Sequence, residues 1–236
     1  MRRRLTRHVL FKHGSVALAA ASLAITGCAS PAAAEEVFDA PAPKRIAKEG
    51  SGLKTAIFAG GCFWGVEGVF SHVKGVKSAV SGYHGGKAAT AKYNHIITGT
   101  TNHAEAVKIT YDPYVVRYDE LLRIFFSVVA DPTLKNRQGP DVGTHYRSAL
   151  VPMNAEQSAV AEAYLAQMGT SGVWKRPIVT RIESHKTFYP AERYHQDYMV
   201  KNPRSGYILR WDKPKVQALK AKFPSEYREK FLRDSA

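Results

Sequence analysis

From Leu53 onward the sequence predicts a single layered domain of α/β type. Short apolar segments of strand character alternate with segments of helical periodicity. Gly or Pro closes most of them, and no unit repeats. With 44% hydrophobic residues in 236, the chain can bury an ordinary core in one or two domains.

The elements follow in order. Leu53–Ala59 is a strand ended by Gly60-Gly61, and Phe63, Val66, Val69 and Phe70 give helical spacing over 63–72. Val76–Tyr83 is a second strand closed by Gly85-Gly86, and Ala104–Tyr111 a third, ended by Asp112-Pro113. Tyr118–Val129 is an amphipathic helix stopped at Asp131-Pro132. Tyr146–Val151 reads as a strand, and the alanine-rich run Ala155–Met168 as a helix ending at Gly169. Val179–Glu183 is a further strand, Ala191–Val200 a helix before Asn202-Pro203, and the charged stretch 214–232 a peripheral helix.

The first residues are of another kind. Arg2, Arg3, Arg4, Arg7 and Lys12 precede an apolar run from Val16 to Ile25, too short to span a membrane, and then Gly27-Cys28. This predicts a signal peptide over 1–27. The ending resembles a bacterial lipobox, with Cys28 as the lipidation site; a plain signal peptide or short anchor is the alternative. The expected location is the periplasmic side of a bacterial membrane. Ala29 lacks the Asp that retains lipoproteins at the inner membrane, which favours the outer one. Residues 28–52, rich in Ala, Pro, Glu and Lys, read as a flexible tether with a root-mean-square span of about 25–30 Å. The catalytic domain is then 53–236.

Loss of the five leading cations lowers the formal charge from +14 to +9. No zinc-finger spacing or RNA-binding aromatic signature accompanies that charge, so it reads as a solvated surface and not as a nucleic-acid interface. Cys-x-x-Cys, Gly-x-Gly-x-x-Gly and Walker patterns are absent, so no tightly bound cofactor is expected. Glu192-x-x-His195 has di-iron spacing in one copy where two are needed; the expected metal set is none, and His195 reads as a structural hydrogen-bonding residue.

The chain's chemistry centres on Cys62, the only cysteine besides Cys28. It follows Gly60-Gly61 at a strand-to-helix junction, where unpaired N–H groups and the helix dipole are expected to lower its pKa. Phe63 and Trp64 either line a small apolar subsite beside the sulfur or belong to the core. Glu105 opens an otherwise apolar strand: facing inward, its pKa should rise and make it a proton donor; facing outward, it is solvated. Asp141 and Tyr146 lie in 137–148, a loop dense in hydrogen-bonding groups.

The blocks Gly61-Cys62-Phe63-Trp64-Gly65-Val66-Glu67, Ser81-Gly82-Tyr83, 99–107, 137–148 and Tyr194-His195-Gln196-Asp197-Tyr198 resemble, in order, the peptide-methionine (S)-S-oxide reductase family (MsrA). The resemblance covers roughly Thr55 to Leu209. It implies an α+β fold, a two-layer α/β sandwich with a ferredoxin-like core and mixed sheet. It also implies reduction of the S epimer of methionine sulfoxide, protein-bound or free. Cys62 would attack the sulfoxide sulfur as a thiolate and become a sulfenic acid. Glu105, Tyr93 and Tyr146 would engage the oxygen, Phe63 and Trp64 the S-methyl group, and Asp141 the same polar network. Gln138, Pro140 and His145 depart from the family's usual loop, and His84 follows Ser81-Gly82-Tyr83 where a small residue is usual.

No cysteine stands near the end of the sequence, where many members carry a resolving one. A one-cysteine monomer is therefore expected, recycled by an external thiol reductant, either a thioredoxin-like protein or a low-molecular-weight thiol. Two alternatives stay open: Cys28 as a resolving thiol, and a peroxide-reacting thiol protein, which needs no methyl subsite.

Overall fold

The computed structural model describes residues 36–233. Its central sheet holds β1 (Lys54–Gly60), β2 (Val76–His84), β3 (Ala104–Tyr111), β6 (Ser148–Val151), β7 (Arg181–Ile182) and β8 (Phe188–Pro190) in the order β7-β6-β1-β3-β2-β8. A two-residue hairpin, β4 (Arg137–Gln138) and β5 (Asp141–Val142), stands apart. The β6–β7 pair is parallel and the other pairs antiparallel, so the sheet is mixed.

Within it, β6-β1-β3-β2 is the split βαβ arrangement of a ferredoxin-like core. Helix α1 (Phe63–Phe70) links β1 to β2, and α3 (Tyr118–Ile124), continued by a π-turn over Phe125–Val129, leads from β3 towards β6. Alternation decides which face each side chain takes. Ala56 and Phe58 of β1 enter the main core with Val66, Val69, Phe70, Leu121 and Phe125, whereas Ile57 and Ala59 pack on the reverse face with Ala106 and Val151. Helix α4 (Ala155–Gly169) starts at Asn154, whose side chain accepts the Gln157 N–H at 2.9 Å. Helix α6 (Lys213–Lys222) buries Leu219 completely.

Three expectations are corrected. Ala191–Val200 is not one helix: only α5 (Tyr198–Lys201) is helical, because Asp197 adopts the left-handed conformation (φ 55°) and the Ala191 N–H bonds Ser81. Helix α6 ends at Lys222, and the chain beyond it returns to pair Tyr227 with Val73. The tether does not run to residue 52. Phe38 packs on Trp174 with ring centroids 5.3 Å apart, and Ala40 and Ala47 are buried. The Ala47 N–H bonds Asp119 at 2.9 Å, the Tyr118 N–H bonds Glu49 at 2.9 Å, and the Tyr164 hydroxyl donates to the Pro41 carbonyl at 2.8 Å. Few apolar side chains suggested flexibility; polar groups on α3 and α4 hold this strap instead. Cys28 lies outside the described residues.

Candidate active site

β1 delivers Cys62 to the first turn of α1 through two glycines with different tasks. Gly60 leaves room for the Phe125 ring, which would stand 2.6 Å from an added Cβ. Gly61 has φ +86°, a region that suits glycine, and Gln138 presses against it. Cys62 is then the residue preceding α1, buried with 8% exposure.

Glu105, on the neighbouring strand β3, points inward. It is 1% exposed, and its Oε2 accepts the Phe63 N–H at 3.0 Å. Burial pushes its carboxyl up to about 8, against a lowering contribution from that hydrogen bond. The carboxyl therefore carries its proton at neutral pH and can donate it.

The expected low pKa of Cys62 is corrected. Burial pushes the thiol well above its ordinary value, Glu105, Asp212 and Asp141 add to the rise, and only the Trp64 backbone amide opposes them. A helix N-terminus favours a thiolate by a modest amount in the open; here desolvation and three acids outweigh it.

Tyr93 begins the single-turn helix α2 (Tyr93–Ile96), held by its N–H bond to Glu192 at 2.9 Å. Burial, then Glu105 and Cys62, push its hydroxyl up to about 12. Tyr146 ends a 3-10 turn at Thr144–Tyr146 and is raised by burial, then by Glu105, Asp141 and Cys62. Both hydroxyls thus keep their protons near the thiol. Asp141 opens β5 and accepts a hydrogen bond from Tyr207. The loop 137–148 accordingly gathers around the sulfur.

The aromatic wall is larger than the sequence revealed. Trp64 stacks on Tyr198 with centroids 3.7 Å apart and planes 6° from parallel, and meets Tyr207 edge-on at 5.7 Å. The Trp64 indole donates to His195 Nδ1 at 3.1 Å, so Nε2 carries the hydrogen of the neutral ring. His195 also meets Phe63 at 4.9 Å and Tyr93 at 4.5 Å. His195 is the hydrogen-bonding residue expected of it, whereas Tyr198 and Tyr207 are wall residues that sequence reasoning missed. The Tyr194–Tyr198 block offered the signal for Tyr198; Tyr207 sits in a charged stretch with no pattern around it.

Among the described residues Cys62 is the one thiol; with a protonated acid, proton-bearing hydroxyls and an aromatic wall around it, the site is that of a thiol-dependent oxidoreductase. The comparisons say which. The family described as Peptide methionine sulfoxide reductase matches residues 54–227. Peptide methionine sulfoxide reductase MsrA 2 of Mesorhizobium japonicum is 54% identical over 183 residues, 78% of this chain and 94% of its own. The protein of the same name from Synechocystis is 47% identical over 78% of this chain and 84% of its own. Reduced Mxr1 from Saccharomyces cerevisiae superposes with TM-score 0.56 at 33% identity, over 69% of this chain and 92% of its own. Methionine sulfoxide reductase A of Corynebacterium diphtheriae gives 0.55 at 33%, over 64% and 76%. The chain belongs to the peptide methionine sulfoxide reductase family, and its reaction is the reduction of methionine sulfoxide.

Proposed function

We propose that the protein reduces the S epimer of methionine sulfoxide, free or in peptides, through a sulfenic acid on Cys62. The observation that carries this is Glu105, a buried carboxyl whose Oε2 accepts the N–H of Phe63, the residue after Cys62, at 3.0 Å, and which burial pushes up to about 8. Cys62 sulfur attacks the sulfoxide sulfur while Glu105 protonates the oxygen, and Tyr93 and Tyr146 hydrogen-bond it. Oxygen passes to Cys62: the methionine sulfur gains two electrons and the cysteine sulfur loses two. The proton that Glu105 gives to the oxygen ends on the sulfenic acid, and the thiol's proton returns Glu105 to its acid form, so protons balance. With the methyl group against Phe63 and Trp64, the oxygen on Glu105 and the sulfur facing Cys62, one direction remains for the rest of the substrate. That selects one epimer.

An external thiol, a thioredoxin-like protein or a small thiol, returns the sulfenic acid to thiol. Export, with lipid attachment at Cys28, would put the monomeric enzyme on the periplasmic side of a bacterial membrane, with the outer membrane favoured. A second reading gives Cys28 the resolving role. Glu36 and Val37 line one cavity with Gln138, which abuts Gly61. Cys28 is eight residues before Glu36, and eight extended residues reach about 27 Å.

Turnover of separated R and S sulfoxide peptides, with dithiothreitol, glutathione and thioredoxin in parallel, tests the proposal. S-selective turnover supports it, and equal turnover of both epimers refutes it. Intact mass decides between the two roles of Cys28: a diacyl-modified terminus excludes a Cys28–Cys62 disulfide.

A further inference from the structure

Asp212 closes a π-turn (Ile208–Asp212) immediately before α6 and is completely buried. Its Oδ1 occupies the space a side chain on Gly65 would need, 2.3 Å from an added Cβ, with Cγ at 3.0 Å. Gly65 is the third residue of α1. The carboxylate therefore sits against the helix turn whose N–H groups form the positive end of the dipole next to Cys62. A negative charge there draws on the field that would otherwise favour a thiolate.

The groups facing the sulfur come from several elements: Glu105 from β3, Asp141 from β5, Asp212 from the π-turn, and the hydroxyls of Tyr93, Tyr146 and Tyr207. One cation, Lys215 of α6, shares this wall. It is 5% exposed, and its Cδ lies 3.5 Å from the same Gly65 position. Burial raises the Asp141 carboxyl, and the Lys215 charge, like the Tyr207 hydrogen bond, opposes that rise. Among the acids acting on Cys62, Asp212 is second to Glu105. In the reaction proposed above, Glu105 gives a proton to the oxygen; Asp212 has no such task.

We propose that Asp212 is a specificity-determining positioning residue: seated behind the first turn of α1, it keeps Cys62 as a thiol in the resting site and so favours oxidation by bound sulfoxide over oxidation by free peroxide. Hydrogen peroxide oxidises the thiolate. A sulfur–oxygen bond forms, the oxygen–oxygen bond breaks, and the departing hydroxide leaves as water, giving the same sulfenic acid. That route scales with resting thiolate. Sulfoxide reduction instead draws on a bound substrate and the Glu105 proton, so it depends less on how much thiolate the empty site holds. The inference rests on the methionine sulfoxide reading only for its second substrate.

The test compares wild type with Asp212→Asn in three measurements: the pH profile of Cys62 alkylation by iodoacetamide, the rate of oxidation by hydrogen peroxide, and single-turnover methionine formation from an S-sulfoxide peptide. The variant's alkylation midpoint should fall by about 0.5–1 pH unit, raising alkylation and peroxide oxidation at pH 7 by about 3–10-fold. The ratio of sulfoxide to peroxide rates should fall by a similar factor. An unchanged midpoint, or both oxidation rates changing in proportion, overturns the proposal. If Asp212→Asn does not fold, Lys215→Gln removes the cation beside it: the midpoint should rise and peroxide oxidation slow, and no change or a fall overturns it. Absence of sulfoxide reduction by wild type counts against the catalytic proposal and leaves the thiol titration readable.

Discussion

Glu105 Oε2 accepts the backbone N–H of Phe63 at 3.0 Å, so the acid on β3 is tied to the helix turn that carries the nucleophile. One hydrogen bond fixes the spacing of the two groups that the reaction uses. Glu105→Gln keeps the shape and removes the proton. Single-turnover methionine formation should slow on the order of 100-fold. Wild type should lose rate as pH rises through about 8, and the variant should lack that limb.

The same carboxyl makes stability pH-dependent. Its folded value of about 8 lies above its ordinary 4.5. Between those values the unfolded chain has released a proton that the native state still holds, so stability falls as pH rises through that window. Thermal unfolding of wild type and Glu105→Gln from pH 5 to 8 checks this: the variant should gain on wild type with each step upward.

Gly61→Ala should cost about 2–4 kcal/mol, the sum of a left-handed penalty and overpacking. The new Cβ would lie 2.6 Å from Gln138 Cβ and 3.0 Å from its Cγ, close to the backbone of the hairpin that also holds Asp141. Chemical denaturation measures the loss, and activity should fall with it as the hairpin moves.

Truncation separates strap from leader. Removing residues 1–35 should leave unfolding of the domain unchanged. Removing 1–51 uncovers Trp174 and strips Asp119 of the Ala47 N–H. Losing the Phe38 burial and the hydrogen bonds of Pro41, Ala47 and Glu49 costs at least about 3–5 kcal/mol, or roughly 6–20 °C in Tm for a domain of this size.

The sheet core was legible because β1, β2 and β3 have long apolar runs bounded by glycine or Asp-Pro. Cys62 and Glu105 were legible because each breaks its local pattern: a cysteine after two glycines, and an acid opening an apolar strand. The strap was not, since its hold is polar, backbone and carboxylate pairing over more than a hundred residues in sequence, as from Tyr164 to Pro41. The pKa of Cys62 was not, because a helix N-terminus is visible in one segment whereas Asp212 arrives from far along the chain. Tyr207 and Asp212 lie among Arg210, Lys213 and Lys215, where composition suggests only a solvated helix.

The central claim is that one sulfur, Cys62, takes the oxygen. Reduced wild-type enzyme mixed with excess S-sulfoxide peptide and no reductant should release one methionine peptide per chain, and dimedone should trap a sulfenic acid on Cys62. Cys62→Ser should release none. Methionine formation by the serine variant, or a wild-type reaction leaving Cys62 unoxidised, would contradict the account.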